Sequence, residues 1–174
     1  MEQVVWTPGS FLLKVIDPAL VALALDPPEG RLGVRQLLLG TALQESLLRH
    51  LRQLPNRDGS RGPALGYFQM EPVTHDDIWK TFLAFRPVLA ARLRALAGLR
   101  QGQPAPVTLL RDSVYAAAMA RLRYRRAPGR LPLAGDVAAM AAYWKQHYNT
   151  PLGRGVPEEF AARLARALPD ISGG

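Results

Sequence analysis

The spacing of apolar residues is helical over most of the chain. One stripe, repeating in steps of three and four residues, consists of Leu38, Ala42, Glu45 and Leu48. That spacing is typical of a single helical face. We therefore predict a long helix from about Gly33 to Leu54, which Pro55 ends.

Proline and cap residues predict the other helices. These helices are a short one starting at Asp17 and Pro18, one from Thr74 with Asp77 as its capping partner, one over Thr108 to Arg126, one capped by Asp136, and one over Pro157 to Leu168. Trp79, Tyr115, Tyr124 and Trp144 lie at helical spacing, and we interpret them as core or cleft-wall residues rather than ligand platforms.

Residues 55–72 interrupt the helical pattern. They are rich in Gly, Pro, Asn, Asp and Ser, which favours loops and tight turns, and the segment "GYFQM" predicts a short strand or hairpin. The predicted fold class is therefore mainly α: a single domain over residues 1–174, with N-terminal helices in 1–33 and a small β or loop excursion after the long helix.

The amino-acid composition excludes several kinds of functional site. The 174 residues are 48% hydrophobic, which suits one compact domain. The absence of cysteine excludes disulfides, thiolate metal sites and a cysteine nucleophile. The three histidines lie at no tight metal-ligand spacing, so we expect neither a metal nor a cofactor. A membrane span is not expected because "PALVALAL", the longest apolar stretch, is far shorter than a bilayer requires.

The net charge of +8 favours anionic partners: nucleic acid, cell-wall polymers or acidic proteins. "RLRYRR" (Arg121 to Arg126) has the form of a nucleic-acid patch, with an aromatic residue between arginines. A solvated basic face is the simpler interpretation, and nucleic acid is not an expected partner. His75 followed by Asp76 could orient a base, but no serine nucleophile motif accompanies them.

Glu45 is the unusual residue, because it is a carboxylate on an apolar stripe. Burial disfavours its ionised form and should raise its pKa. A carboxylic acid that stays protonated near neutral pH can act as a general acid. The alternative is that Glu45 pairs with an arginine or reaches solvent at the helix edge.

Three segments occur in a characteristic order: "ALQES" (Ala42 to Ser46), "GYFQMEP" (Gly66 to Pro72) followed by Thr74, and "YNTPLG" (Tyr148 to Gly153). "AAYWKQ", beginning at Ala141, is a competing match for the third. Together they resemble the lysozyme-like lytic transglycosylases and their phage relatives, over residues 34–153.

The resemblance implies a lysozyme-like α+β fold that needs no cofactor. It makes Glu45 the sole catalytic acid, which protonates the glycosidic oxygen between N-acetylmuramic acid and N-acetylglucosamine and then acts as a base. Ser46 would hold a sugar substituent or orient the loop. The other implied substrate contacts are Tyr67, Phe68, Gln69, Tyr148 and Asn149, with Tyr148 facing Glu45. If a second acid is used, the candidates are Asp58, Glu71, Asp76 and Asp77.

The resemblance also suggests a phage protein whose partners are peptidoglycan glycan strands and other virion proteins. Because no signal peptide is recognisable at the N-terminus, the expected location is the virion, or the host cytoplasm with delivery to the wall by other means. The alternative is a virion structural or assembly protein that keeps the lysozyme-like fold with little or no catalysis. The enzyme hypothesis requires Glu45 to face an open groove together with Gln69 and Tyr148.

Overall fold

The computed structural model describes residues 5–52, 59–149 and 153–171, and these residues are mainly helical, as the sequence predicts. The helices are α1 over residues 8–23, α2 at Pro28–Ser46, α3 over residues 72–85, α4 at Pro87–Leu96, α5 at Thr108–Arg111, α6 at Ser113–Arg125, α7 over residues 137–149, and α8 at Pro157–Ile171. None of the described helices is long and apolar enough to cross a bilayer.

Three of these helices are composite. Helix α1 joins Pro8–Phe11, a π-helical turn at Leu12–Ile16, and Asp17–Leu23; α3 joins Pro72–Asp77, a π-helical turn at Ile78–Phe82, and a 3-10 turn at Leu83–Phe85; α7 joins Val137–Trp144 and a π-helical turn at Lys145–Asn149.

Helix α6 is the centre of the fold. Its residues 115–122 are all buried, and four of them are alanine, which lets neighbouring helices approach closely. Helices α1, α2, α4, α5 and α7 pack around it, while α8 packs across α2 and α7. Trp79, Tyr115, Tyr124 and Trp144 are buried in this core.

The predicted helix starts near the C-terminus are confirmed. The Asp136 side chain accepts a hydrogen bond from the Ala139 N–H at 3.0 Å, and α8 begins at Pro157. The helix predicted over Thr108 to Arg126 is interrupted, because Asp112 has an extended backbone and caps a new helix through the Tyr115 N–H at 2.9 Å.

Two other predicted helix caps are wrong. The α-helical segment Asp17–Leu23 begins at the predicted residue, but it continues α1 from the preceding π-helical turn, and the Asp17 carboxylate binds Arg35 at 2.7 and 3.0 Å instead of capping backbone amides. The Thr74–Asp77 capping box is absent because α3 already begins at Pro72, whose fixed φ suits the first helical turn.

Helix α2 is displaced from the predicted range of Gly33 to Leu54. It starts at Pro28 and ends at Ser46, where the hydroxyl donates to the Ala42 carbonyl at 2.9 Å and accepts the Leu48 N–H at 3.2 Å. Leu47 and Leu48 follow with left-handed φ values of 54° and 55°. The helix therefore stops one residue after Glu45, which places Glu45 in its last turn.

The arginine-rich segment "RLRYRR" is a solvated basic face only at its end, where Arg125 and Arg126 are exposed. Arg121 is buried in an ion pair with Asp26, and Tyr124 is buried with its hydroxyl 2.7 Å from that of Thr41. The aromatic ring is therefore covered and offers no stacking surface for a base.

The expected hairpin is reduced to isolated antiparallel bridges that pair Leu65 with Arg52 and with Met70. The turn between Leu65 and Met70 begins with Gly66, whose φ is +74°. A Cβ atom at that position would lie 2.3 Å from the Leu109 carbonyl oxygen. Only glycine therefore fits this turn.

Gly66→Ala is expected to destabilise the protein by about 2 kcal/mol or more, because the added methyl meets backbone as well as an unfavourable φ. Chemical denaturation measures this change. The matched control is Gly129→Ala: its φ is +85°, but nothing lies within 4 Å of the added Cβ, so only about 1 kcal/mol is expected. Equal losses in both variants would mean that the approach to Leu109 does not matter.

Candidate active site

A cleft of about 640 Å³ opens beside the last turn of α2. The turn at residues 66–69, α6, α7 and the segment after α7 complete its walls. Its described lining residues are Gln44, Glu45, Ala64, Gln69, Glu71, Thr74, Arg123, Trp144, Tyr148, Asn149, Gly153, Arg154 and Gly155. The structure thus places Glu45, Gln69, Tyr148 and Asn149 in one open cleft.

The environment of Glu45 favours its protonated form. Burial raises its pKa from 4.5 to about 7, because the ionised carboxylate loses hydration. A hydrogen bond that Trp144 Nε1 donates to Glu45 Oε1 at 3.0 Å opposes this shift, as does the positive charge of Arg123. Glu45 therefore exchanges its proton near neutral pH, as a general acid and base must.

Trp144 is held firmly against Glu45. Its ring is buried and stacks on Phe160 of α8, with the ring centroids 5.3 Å apart. Gly155 passes so close on another side that an added Cβ would lie 2.3 Å from the indole ring. Packing therefore fixes the orientation of the indole N–H toward the carboxylate.

Trp144→Phe is expected to raise the pKa of Glu45 above its wild-type value, because the variant removes the donor that stabilises the ionised carboxylate. NMR titration of the labelled Glu45 carboxyl measures the shift. Tyr143→Phe is a matched control on the neighbouring position of α7 and should leave the titration unchanged. A lower Glu45 pKa in Trp144→Phe would contradict the assigned role.

Tyr148 lines the cleft, but its hydroxyl donates to the Phe68 carbonyl at 2.8 Å rather than to Glu45. Burial raises the pKa of Tyr148, so the phenol keeps its proton. Arg123 lies over the Tyr148 ring at 4.4 Å and donates to the Tyr148 carbonyl. Tyr148 therefore ties the turn at residues 66–69 to α7 while it forms part of the cleft wall.

Gln69 has a left-handed φ of 43°. Its amide nitrogen donates to the Gly66 carbonyl at 2.8 Å and to the His50 carbonyl at 3.3 Å. The nitrogen is thus used within the protein, which leaves the side-chain oxygen as the atom for a ligand. Asn149 accepts a hydrogen bond from Lys145 Nζ at 2.8 Å.

Three residues implied as substrate contacts do not face the cleft. Tyr67 and Phe68 are buried, where both pack against Phe11, and Tyr67 accepts a hydrogen bond from Trp6 Nε1 at 3.0 Å. Both side chains point into the core because they are the large aromatic residues of this turn, whose backbone conformation requires Gly66. Ser46 is also buried and lies outside the lining of this cleft, although it borders a neighbouring hollow; its hydroxyl ends α2, which agrees with orienting the loop.

The candidate second acids are separated by the fold. Glu71 is exposed and lines the cleft. Asp76 binds His75 Nδ1 at 3.0 Å and Gln103 at 2.7 Å, and Asp77 pairs with Arg126 at 2.6 Å. Neither of these two lines the cleft, so neither fits the role of second acid. Asp58 lies outside the described residues.

His75 does not act as an exposed base. It is buried, and its Nε2 lies 2.8 Å from the Tyr115 hydroxyl, which also accepts a hydrogen bond from Trp79 Nε1 at 2.9 Å. Burial lowers the His75 pKa. This group of side chains is a buried polar network within the core.

Sequence reasoning did not assign Trp144 or Arg123 to the site. A signal for Trp144 was present, since it precedes Tyr148 by one helical turn and lies in the competing segment "AAYWKQ". Arg123 has no such signal, because its position beside Glu45 and Tyr148 arises only when α6 packs against α7.

Within residues 5–52, 59–149 and 153–171, no group of three or more His, Asp or Glu side chains is arranged to hold a metal ion. Comparisons of the chain with protein-family models, with curated proteins and with solved structures found no match.

Proposed function

We propose that the chain is a glycosidase that cleaves the bond between N-acetylmuramic acid and N-acetylglucosamine in peptidoglycan, on a lysozyme-like fold. The observation that carries the proposal is Glu45: a carboxyl group with a pKa of about 7, in an open cleft, hydrogen-bonded to Trp144. The motif order that resembles the lysozyme-like lytic transglycosylases supplies the substrate class.

In the first step, the Glu45 carboxyl donates its proton to the glycosidic oxygen, and the bond from the anomeric carbon to that oxygen breaks. The developing positive charge on the sugar is met by its own acetamido group or its 6-hydroxyl, so a second carboxylate is not obligatory. Trp144 and Arg123 favour the Glu45 carboxylate that the transfer leaves behind.

In the second step, the Glu45 carboxylate accepts a proton from the nucleophile, which restores the acid. If the nucleophile is the sugar's 6-hydroxyl, the product is an anhydro sugar; if it is water, the product is a reducing end. Glu71 lines the same cleft and is the alternative base for water; in that route Glu71 takes the proton of the water and Glu45 regains its own proton from solvent. Mass spectrometry of the released fragments distinguishes the products, because the anhydro form lacks one water.

Purified protein is expected to release soluble fragments from peptidoglycan, and Glu45→Gln is expected to lower the rate by about 10³-fold or more, since Gln cannot donate the proton. Chromatography of the digest measures both rates. Glu29→Gln removes an exposed carboxylate at the other end of α2 and is expected to keep full activity.

The same experiment tests the alternative. If the wild-type protein releases no fragments from any glycan strand, the enzymatic proposal fails. A virion structural or assembly protein with this fold would then be the function to pursue, with other virion proteins as its partners.

A further inference from the structure

Glu45 lies between two hollows. The cleft described above shares Gln44, Glu45 and Gln69 with a second hollow of about 340 Å³. Because both hollows border these residues, we treat them as two arms of one groove that meet at Glu45. A linear polymer lying in this groove would place successive units on both sides of Glu45.

The two arms of this groove differ in charge. The first arm contains Arg123 and Arg154 together with the carboxylates Glu45 and Glu71, so its charges are balanced. The second arm is lined by His50, Arg52 and Arg163, and Glu45 is the one carboxylate among its described lining residues. Because Arg163 is paired with Glu159 at 3.1 Å, the second arm attracts anions through Arg52 and through the unused edge of the Arg163 guanidinium.

Arg163 of α8 is held in place within the second arm. Its Nη1 donates to Gln44 Oε1 and to Glu159 Oε2, the latter at 3.1 Å. The guanidinium makes no further hydrogen bond to a described residue, so Nε and Nη2 remain for a ligand. Two parallel N–H groups on a fixed planar guanidinium match the two oxygens of a carboxylate.

We propose that the second arm is an anion-accepting subsite, in which Arg163 binds a carboxylate carried by the sugar unit next to the cleaved bond. This inference rests on the proposed glycosidase function and adds a specificity to it. In peptidoglycan, that carboxylate belongs either to the lactyl group of N-acetylmuramic acid or to the peptide attached to it.

The test compares three preparations of the same glycan strands: peptide-free strands with free lactyl carboxylates, the same strands with these carboxylates converted to methylamides, and strands that keep their peptides. The wild-type protein is expected to cleave the carboxylate form about tenfold more efficiently than the methylamide form, mainly through a lower KM. Arg163→Gln is expected to reduce this ratio to near one.

Arg166→Gln is the matched control, because it removes an exposed arginine from the same helix outside the groove; it should keep the wild-type ratio. Thermal unfolding checks that both variants fold. If strands with peptides are cleaved as efficiently as the free carboxylate form, the peptide carboxylate supplies the anion; if they match the methylamide form, the lactyl carboxylate does.

The outcomes separate the two proposals. Failure of the wild-type protein to cleave all three preparations overturns the glycosidase function itself. Cleavage of all three preparations at equal efficiency overturns the anion subsite alone, whereas a preference for the peptide-bearing strands only assigns the anion to the peptide. A preference that persists in Arg163→Gln overturns the assignment to Arg163.

Discussion

Glu45→Gln is expected to stabilise the protein by about 3 kcal/mol at pH 8 and to change its stability little at pH 4. The reason is that burial raises the pKa of Glu45 from 4.5 to about 7 in the folded protein. Between these values the folded state holds a proton that the unfolded state has lost, so stability falls as the pH rises through this range. Gln cannot ionise, so the variant does not lose this stability as the pH rises.

The size of the effect follows from the shift, because one unit of pKa corresponds to about 1.36 kcal/mol. Gln keeps an oxygen that can accept the Trp144 N–H, so the hydrogen bond to Glu45 has a counterpart in the variant. Urea unfolding at pH 4 and pH 8 measures the difference. No substrate is needed, so the result is independent of the proposed function.

Glu71→Gln is the matched control for this prediction. It removes one carboxylate from an exposed position of the same cleft, and changes at such positions are usually within about 0.5 kcal/mol. A gain of similar size at both pH values in Glu45→Gln would assign the effect to packing. No gain at pH 8 would show that the folded protein does not hold the proton of Glu45 and would remove the main support for a general acid.

The helical class was predictable because it depends on local spacing. Caps such as Asp136 and starts such as Pro157 also act through neighbouring residues, and both predictions are confirmed. The end of α2 was not predictable in the same way. It depends on Leu47 and Leu48 adopting left-handed φ values, which the sequence does not signal because glycine is the usual residue there.

Part of the candidate site was also predictable, because the order of short motifs can be read from the sequence. Motif order brought Glu45, Gln69, Tyr148 and Asn149 into one hypothesis, and the structure places all four in the same cleft. Motif order does not fix which way a side chain points. Phe68 is next to Gln69, yet it turns into the core while Gln69 lines the cleft, because the burial of apolar surface decides the direction of a large side chain.

Arg121 and Asp26 show the limit of sequence reasoning most clearly. They are separated by most of the chain, and Arg121 stands in a run that looks like a charged surface. In the structure, Arg121 Nε and Nη2 bind the two Asp26 oxygens at 2.9 and 2.6 Å, with both side chains nearly inaccessible to solvent. The pair connects the segment after α1 to the central helix α6.

Arg121→Met is expected to destabilise the protein by about 3–5 kcal/mol, because it leaves the Asp26 carboxylate buried without its partner. The double variant Asp26→Leu with Arg121→Met is expected to recover most of this loss, since it leaves no buried charge. Arg121 Nη1 is itself buried without a hydrogen bond to any described residue, so removing the arginine also relieves a cost. Urea unfolding of the wild-type protein, both single variants and the double variant gives the coupling energy.

The ion pair of Arg126, at the C-terminal end of α6, tests whether burial or contact distance sets the strength of such pairs. Arg126 Nη2 lies 2.6 Å from Asp77, the same distance as in the buried pair, but its side chain and that of Asp77 are 31% and 47% exposed. Water already solvates both partners of an exposed pair, so Arg126→Met is expected to cost at most about 1 kcal/mol. If the two arginine variants lose equal stability, contact distance rather than burial sets the strength of these pairs. If only Arg121→Met is strongly destabilised, burial of the uncompensated carboxylate is the cause.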